Sequence, residues 1–518
     1  MPSQTTAPSE PRRPVQRPTR TKIIATIGPA SESEEMIAKL IDAGVGIFRF
    51  NFSHGKFDEH ARRLQSVRKV SKRLGRVIAC LGDLSGPKIR TTQSPEGGVM
   101  LEAGADVLLR AGVEEAFMED GVPVLGTTLE DMIDEVEPGQ RVLINDGAIR
   151  MLAVGAEAEP RQLRCRVLVG GPVTSKKGIN LPETELSTPA ITDYDWECVE
   201  WAVAHGIDLL ALSFVRRPEE LLELKQRLAG LCSVDRSSSD ESGSQILVVA
   251  KVEKPQAVRR IDEIAAASDA VMVARGDLGV EMDLAEAPPT QKRILAACHE
   301  WGKPAIVATQ MLESMIEAGS PTRAEATDVA NAIFDGADCV MLSGETAVGK
   351  RPALVVETMR RICTVAEGAS HEFGAKFSAP KALVESRYRT AALAHGAYHI
   401  ARDLDAKLIV CWSQNGGTAR YLSNHPFSAP VIAYTSNERA TRRMALLSGV
   451  TPLLAAPPES GRLSAWCAQI DEDLLARGWV SPGDALVLVA GLPLGEVRAT
   501  NTVTSHYVGR SDRSRPLE

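Results

Sequence analysis

Short apolar runs rich in β-branched residues recur along the chain, and each ends in polar or charged residues before a helical pattern begins. Runs of this length suit strands that are buried on both faces. The eight runs are IIATIG (23–28), GIFRFNFSHG (46–55), VIACLGD (77–83), LLALSF (209–214), LVVAKVE (247–253), AVMVARGD (270–277), AIVATQ (305–310) and CVMLSGE (339–345). Eight strands alternating with helices predict a (β/α)8 TIM barrel, with an open doubly wound sheet as the alternative.

The segment 246–283 carries the charged residues that most suggest chemistry. Its first strand ends in Lys251 and Glu253, Pro255 begins a helix, and a second strand ends just before Asp277. Two carboxylates and a lysine can therefore converge where neighbouring strands end. Paired carboxylates suit Mg²⁺, which keeps waters and takes further oxygen ligands from its substrate. The alternative is a solvated salt bridge among Lys251, Glu253 and Lys254.

The second apolar run alternates three phenylalanines with Arg49, Asn51 and Ser53. A strand inside a barrel has both faces covered, so this polar row needs a phosphate or a cation as its partner. The same end of later strands carries further polar residues, at Thr309, Ser343 and Glu345. This recurrence at one end of several strands favours an active site.

Changes in pattern predict the domain boundaries. Residues 21–90 and 188–367 form the barrel, 91–187 an inserted small β-barrel lid domain, and 368–518 a C-terminal α/β domain. Residues 1–20 are expected to be a disordered tail, and 233–244 a mobile surface loop. The loop 413–420 (SQNGGTAR) joins a strand to a helix, where it can hold a phosphate or be an ordinary glycine turn.

Composition narrows the class of protein. The 518 residues carry a net charge of −8, which argues against nucleic acid as the main partner. No apolar run is long enough to span a membrane. The nine cysteines are scattered and form no CxxC pair, so a reducing cytoplasm fits better than a disulfide framework.

Several motifs, in order along the chain, resemble those of the pyruvate kinase family. They are KIIATIGPAS, FRFNFSHG, DLSGPKIR, KKGINLP, AKVEKP, MVARGDLGVE, KPAIVATQMLESM, PTRAEATDVANAIFDGADCVMLSGETA and GLPLGEVRATNTV. The resemblance implies Mg²⁺- or Mn²⁺-dependent phosphoryl transfer from phosphoenolpyruvate to ADP in glycolysis, giving pyruvate and ATP. It also implies a homotetramer regulated through the C-terminal domain.

The resemblance further implies a role for each matching residue. Glu253 and Asp277 bind the metal, and Lys251 stabilises charge on the phosphoryl group and the enolate. The substrate is held by Arg49, Lys251, Ala274, Arg275, Gly276, Asp277 and Thr309. The nucleotide is held by Asn51, His54, Arg90 and Lys177, with Arg49 and Arg90 gripping phosphates. Thr309, Ser343 and Glu345 lie where a relay can protonate the enolate.

Two departures from the family pattern carry information. The potassium region of the family matches Asn51, Ser53, Asp83 and Leu84, and Lys88 stands where a glutamate is usual, so we expect Lys88 to replace potassium. The effector-phosphate loop matches Ser413, Asn415, Gly416, Gly417 and Thr418. It lacks the usual lysine and arginine, which favours a sugar monophosphate or AMP over fructose bisphosphate.

Simpler roles remain open for individual residues. Arg49 can merely pair with Asp83, His54 can cap or pack, Lys177 can be a solvated charge, and Thr309 can bond back to its helix. Two other functions also remain open: a magnesium-dependent barrel lyase or aldolase acting on a pyruvate enolate, and an inactive protein that binds sugar phosphate.

Overall fold

A computed structural model describes residues 19–234, 246–373, 380, 387–425, 429–494 and 500–509. The chain divides into two compact units, Lys22–Ala375 and Lys376–Glu518 with Met1–Thr21. Residues 1–18 of the tail predicted at 1–20, and residues 235–244 of the loop predicted at 233–244, lie outside the described residues. Within the described ranges, no helix combines the length and apolar character needed to cross a bilayer.

The first unit begins with three parallel strands joined by amphipathic helices. These are β1 (Lys22–Thr26), α1 (Glu34–Ala43), β2 (Val45–Asn51), α2 (Phe57–Leu74) and β3 (Ala79–Asp83). The Ser33 side chain caps α1 by accepting a hydrogen bond from the Met36 amide, and Gly44 ends the helix at a φ of 127°. α1 buries Ile37 and Leu40 against the barrel core.

After β3 the chain builds a separate β-domain, here called the lid. Its elements are β4 (Val99–Leu101), β5 (Asp106–Arg110), β6 (Phe117–Glu119), β7 (Val122–Leu125), α3 (Met132–Glu135), β8 (Arg141–Ile144), β9 (Ile149–Ala158), β10 (Arg161–Val169), β11 (Gly171–Val173) and β12 (Ile179–Asn180). A seven-stranded sheet has the order β12-β8-β9-β10-β5-β7-β6, and β11 pairs with β4. The lid has its own apolar core, which includes Val107, Met151 and Leu163.

The remaining barrel strands follow the lid. They are β13 (Leu209–Leu212), β14 (Leu247–Val252), β15 (Ala270–Ala274), β16 (Ala305–Ala308) and β17 (Cys339–Leu342). The helices are α4 (Asp193–Ala204), α5 (Pro218–Val234), α6 (Pro255–Arg259), α7 (Ile261–Ala267), α8 (Arg275–Glu281), α9 (Ala287–Glu300), α10 (Arg323–Phe334), α11 (Gly344–Ala347) and α12 (Pro352–Phe373), with 3₁₀ turns at Leu284–Glu286 and Glu313–Ile316.

The eight strands close in the order β1-β17-β16-β15-β14-β13-β3-β2, every pair parallel. Each coincides with one of the eight predicted runs, so the barrel is confirmed and the open sheet is wrong. One local prediction needs correction, because the helix that starts at Pro255 is interrupted. Arg260, at φ −106° and ψ 26°, separates α6 from α7.

The second unit is an α/β domain with a five-stranded sheet. Its elements are α13 (Arg389–Asp403), β18 (Leu408–Trp412), α14 (Gly417–Ser423), β19 (Val431–Thr435), α15 (Glu438–Met444), β20 (Val450–Leu454), α16 (Leu463–Ala476), β21 (Ala485–Ala490) and β22 (Thr502–Tyr507). The sheet order is β20-β19-β18-β21-β22, with only β22 antiparallel to its neighbour. The apolar runs LIVCW (408–412), VIAYT (431–435) and ALVLVAG (485–491) predict β18, β19 and β21, whereas the two edge strands, β20 and β22, were not predicted.

Candidate active site

A polar cluster lies at the carboxyl ends of adjacent barrel strands. Its members follow the strand order: Arg49 on β2, Asp83 on β3, Ser213 after β13, Lys251 on β14 and Thr309 after β16. In a parallel barrel these ends meet at one mouth, where ligands bind. The fold thus gathers side chains that are far apart in sequence.

Lys251 lies at the centre of this cluster. Its Nζ is 3.2 Å from Asp83 Oδ1 and 2.8 Å from Glu253 Oε1, and it donates a 2.6 Å hydrogen bond to Ser213 Oγ. The Lys251 side chain is 11% exposed and both carboxylates are 1% exposed. This burial rules out the solvated salt bridge considered for Lys251 and Glu253.

Arg49 occupies the neighbouring position. Its Nε donates to Asp83 Oδ2 at 2.6 Å, and its NH1 donates to Thr26 Oγ1 at 3.1 Å. The simple pairing of Arg49 with Asp83 is therefore present. Asp83 also forms an ion pair with Lys251, so one buried carboxylate holds both cations, Arg49 and Lys251, at the mouth.

The buried charges shift one another's pKa. Burial alone would raise the pKa of Asp83, but Lys251 and Arg49 outweigh it, and the pKa lies below its usual value. Burial alone would lower the pKa of Lys251, but Asp83 and Glu253 hold it above its usual value. The cluster therefore keeps an ammonium charged in a largely water-excluded place.

Glu253 is fully buried and incompletely satisfied. Its Oε2 accepts a 2.6 Å hydrogen bond from the Phe214 amide, at a residue with a φ of 54°. Its Oε1 is 2.8 Å from Lys251 Nζ in an ion pair but accepts no hydrogen bond from the described residues. Burial and the charge of Asp277 raise the pKa of Glu253, although Lys251 opposes them. A cation bound beside Glu253 would compensate the buried negative charge and the unpaired oxygen.

The donor set fits a hard divalent cation. Glu253 and Asp277 supply two carboxylates, and among the described residues no group of three histidine, cysteine or acidic side chains can hold a metal. Mg²⁺ tolerates this deficit because it commonly takes one or two protein carboxylates and completes its shell with water and substrate oxygens. A structural zinc site would need more protein ligands.

Strained backbone marks the end of β16. Thr309 and Gln310 have φ values of 68° and 53°. Positive φ is uncommon for any residue except glycine and is most unusual for a β-branched residue such as Thr309. The Arg275 guanidinium holds this turn by donating to the Thr309 carbonyl at 2.8 Å, and it also pairs with Asp328. Thr309 Oγ1 accepts a 2.7 Å hydrogen bond from the Gly276 amide. Thr309 thus lies beside the predicted carboxylate-binding amides of 274–277 and does not bond back to a helix.

Glu345 and Ser343 follow the eighth strand. Glu345 is buried, and its two oxygens accept hydrogen bonds from the Ser343 amide at 2.6 Å and the Leu312 amide at 3.2 Å. Burial raises the pKa of Glu345. Glu345 therefore shapes the turn, whereas Ser343 Oγ has no hydrogen-bond partner among the described residues.

A cleft of about 380 Å³ lies between the barrel mouth and the lid. Its lining includes Asp277 and a set of basic side chains, namely Lys88, Arg90, Lys176, Lys177, Arg216 and Lys254. The pKa of His54 is lowered by burial and then by Lys88, Arg49 and Arg90, so His54 senses the same positive potential. Such a surface suits a polyphosphate.

The predicted monovalent-cation region is occupied by hydrogen bonds among protein groups. Lys88 Nζ donates to Ser53 Oγ at 2.9 Å, and Asn51 Oδ1 accepts from the Ser53 amide. The Leu84 carbonyl accepts a 2.6 Å hydrogen bond from Ser213 Oγ. Lys88 is exposed as a residue, yet its pKa is lowered by desolvation and by Lys251, against the opposing charges of Asp277 and Asp83.

The loop predicted to bind an effector phosphate joins β18 to α14. Gly416 has a φ of 87°, and Ser413 Oγ accepts a hydrogen bond from the Ala419 amide at 3.2 Å. Thr418 Oγ1 lies 2.8 Å from Thr500 Oγ1. Gly417 begins the helix, and Asn415 precedes the turn. The five residues form one compact loop at the carboxyl end of β18.

Three contributors to the mouth were not predicted. The Ser213 hydroxyl accepts a hydrogen bond from Lys251, and the Thr26 hydroxyl accepts one from Arg49. The Phe214 amide donates a hydrogen bond to Glu253. The alternation of apolar and polar positions gives no signal for them, because their partners lie on other strands.

A TIM barrel whose mouth combines a buried lysine, two metal-suited carboxylates and an adjoining basic cleft under a lid has the parts of a phosphotransferase. Family models for the pyruvate kinase barrel domain and the pyruvate kinase alpha/beta domain match residues 18–356 and 391–505. The chain belongs to the pyruvate kinase family, and it is an enzyme of the phosphotransferase class.

Individual relatives agree with the family models. Pyruvate kinases from Staphylococcus aureus strains MRSA252 and USA300 are each 39% identical over 492 residues, which cover 95% of this chain and 80% of the relative. A crystal structure of a pyruvate kinase from Cryptosporidium parvum is similar with a TM-score of 0.82 and 32% identity, covering 95% of this chain and 96% of that one.

Proposed function

We propose that this enzyme transfers the phosphoryl group of phosphoenolpyruvate to ADP in a Mg²⁺-dependent reaction that gives pyruvate and ATP. The observation that carries the proposal is the buried position of Lys251, held between Asp83, Glu253 and Ser213 at the barrel mouth. A preorganised ammonium in such a place stabilises charge that develops during the reaction.

Glu253 and Asp277 would hold the metal, which when bound would neutralise negative charge on the phosphoryl group. Lys251 faces the migrating phosphoryl group first and the enolate oxygen afterwards. Arg49 grips the phosphate, and Asp83 fixes both cations through hydrogen bonds and ion pairs. The amides of 274–277 and the Thr309 hydroxyl orient the substrate carboxylate.

The nucleotide would lie in the basic cleft. Arg90 and Lys177 line it, Asn51 ends β2, and His54 follows β2 within electrostatic reach of Lys88 and Arg90. Arg90 NH1 donates to the Lys176 carbonyl at 2.9 Å, so this cation also connects the barrel edge to the lid. For the final proton transfer, Thr309 and Ser343 supply hydroxyls at neighbouring strand ends, and Glu345 positions the Ser343 turn.

The test is pyruvate formation from phosphoenolpyruvate with and without ADP, at saturating Mg²⁺. We expect turnover only when ADP is present, together with one ATP per pyruvate. Turnover without ADP would instead indicate a lyase acting on the same enolate. No turnover under either condition would leave a binding protein and contradict the proposal.

We further propose that Lys88 supplies the monovalent positive charge for which relatives use potassium. Its ammonium already bonds Ser53 in the predicted cation region and senses Asp83 and Asp277. Wild-type turnover in potassium-free tetramethylammonium buffer should therefore be unchanged by added KCl. The Lys88→Glu variant should lose activity by at least about tenfold, equivalent to about 1.4 kcal/mol, and regain it with potassium.

Lys176→Glu is the matched control for the Lys88 prediction, since Lys176 lines the same cleft while its backbone amide and carbonyl hydrogen-bond to Thr92 and Arg90, outside the predicted cation region. We expect Lys176→Glu to acquire no potassium requirement. A wild-type enzyme strongly activated by potassium would sink the proposal for Lys88.

We propose that the Ser413–Thr418 loop binds the phosphate of an allosteric activator, in a homotetrameric cytoplasmic enzyme of glycolysis. The loop lacks lysine and arginine, so a single phosphate suits it better than two. Titrating glucose 6-phosphate and AMP should lower the phosphoenolpyruvate concentration at half-maximal rate by about fivefold or more, equivalent to a coupling free energy of about 1 kcal/mol. Fructose bisphosphate should lower that concentration less than either monophosphate does. Separately, light scattering should give the mass of four chains.

A further inference from the structure

Two connecting segments attach the lid to the barrel, and they pair with each other. The Ile179 amide donates to the Ile89 carbonyl at 2.9 Å, and the Thr91 amide donates to the Lys177 carbonyl at 2.8 Å. The outgoing and returning chains thus form a short two-stranded strap. Any movement of the lid relative to the barrel must bend this strap, the outgoing segment 84–88 before it, or the returning segment 181–188 after it.

Barrel side chains hold that returning segment in place. Lys254 Nζ donates to the Leu181 carbonyl at 3.3 Å, and Gln256 Nε2 donates to the Pro182 carbonyl at 3.2 Å. Farther along, Arg216 donates to the carbonyls of residues 186 and 188, at 2.6 and 2.8 Å. The returning segment is therefore held by side chains from two parts of the barrel, the start of α6 and the loop before α5.

Glu281 joins the lid and the barrel directly. Its Oε1 accepts from Asn180 Nδ2 of the lid strand β12 at 2.9 Å and from Lys254 Nζ at 3.0 Å. Glu281 is completely buried, and its Oε2 has no hydrogen-bond partner within the described residues. Desolvation offsets much of the attraction in a buried ion pair of this kind, so its contribution to net stability is small.

The two members of the Lys254–Glu281 pair lie next to the two proposed metal ligands along the chain. Lys254 directly follows Glu253, and Glu281 ends α8, whose first turn contains Asp277. Each member of the Lys254–Glu281 pair is therefore rigidly connected to one of the two proposed metal ligands. Arg216, by contrast, precedes α5 and pairs with Glu220, and neither residue shares a strand end or a helix with Glu253 or Asp277.

We propose that Asn180, Lys254 and Glu281 form a latch that couples occupation of the metal site to the position of the lid. The inference rests on the proposed function, because it takes Glu253 and Asp277 as the metal ligands. Drawing these two ligands together moves the strand end and α8, and Glu281 transmits that displacement to Asn180 on the lid. Glu281 is thus a positioning residue for the nucleotide cleft and does not touch the reacting atoms.

Hydrogen exchange with Mg²⁺ alone as the probe tests the latch. In the wild type, adding Mg²⁺ should slow amide exchange in the lid-side peptide spanning residues 177–183. In Glu281→Gln this Mg²⁺-dependent protection should be lost, while Mg²⁺ still protects the peptides that contain Glu253 and Asp277. In steady state the same variant should show KM for ADP raised about tenfold, with kcat and KM for phosphoenolpyruvate changed less than about threefold.

Arg216→Met is the matched control, because it also removes an anchor of the returning segment but leaves the latch intact. We expect it to speed exchange in the segment and to retain the protection by Mg²⁺. Asn180→Ala, which breaks only the lid side, should reproduce the Glu281→Gln result and serves if that variant does not fold. Undiminished Mg²⁺ protection of residues 177–183 in both latch variants would overturn the coupling. Failure of Mg²⁺ to protect the Glu253 and Asp277 peptides in the wild type would instead refute the proposed metal site.

Discussion

Replacing Lys251 with methionine should lower kcat for pyruvate formation by about 10³-fold or more, equivalent to about 4 kcal/mol of transition-state stabilisation. The ammonium is the only cation placed between Asp83 and Glu253 in the described part of the barrel mouth, and neighbouring carboxylates keep its pKa high. Methionine preserves much of the length of the side chain but supplies no charge or donor. The loss should appear in kcat more than in KM for ADP, since the basic cleft remains.

The same substitution leaves Asp83 and Glu253 with less compensation, which destabilises a buried site by about 3–5 kcal/mol. Lys251→Arg keeps the charge and separates the two effects. It should melt closer to the wild type and remain strongly impaired, because a planar guanidinium cannot occupy the position of a compact ammonium. Lys225→Met is a matched control, since it breaks the 2.9 Å ion pair with Asp269 at the opposite end of the barrel. Near-wild-type turnover by Lys251→Met would exclude a direct role for the lysine.

The barrel was predictable because parallel strands buried on both faces appear in the sequence as short, nearly continuous apolar runs. Strand β14, for example, begins with the continuous apolar run 247–250, which is followed by Lys251. The edge strands of the second unit have no such apolar run, since β20 contains Pro452 and β22 is mostly polar with no buried residue. The break at Arg260 was hidden for another reason: Val258, Ile261 and Ala265 keep helical spacing and are all buried across it.

The site was predictable where one strand carried several functional groups, as with Lys251 and Glu253. It was not predictable where the partner came from a distant strand or from the backbone, as with Ser213 and the Phe214 amide. Lys254 illustrates a further limit, because a charged residue next to a strand end normally faces water. Its burial follows from Glu281 and the returning lid segment, which only the folded arrangement brings together.

Replacing Glu253 with glutamine should raise the Mg²⁺ concentration for half-maximal activity by about 100-fold and lower kcat at any attainable Mg²⁺ concentration. The variant removes one of only two carboxylates that serve the proposed site, and metal affinity falls by about 10–100-fold even for changes outside the ligand shell. The amide keeps the shape of the side chain and an oxygen for the Phe214 amide, so the turn after β13 should persist.

A measurement without catalysis separates metal binding from turnover in this variant. A ligand that binds only the folded state at 100 times its Kd stabilises that state by about 2.7 kcal/mol, so Mg²⁺ should raise the Tm of the wild type. Glu253→Gln should lose this rise. Asp208→Asn, which alters a buried carboxylate paired with Arg68 before β13, should keep it even if its metal-free Tm is lower. An unchanged Mg²⁺ response in Glu253→Gln would assign the metal to other ligands, because a site built from Glu253 and Asp277 cannot retain its affinity with one carboxylate removed.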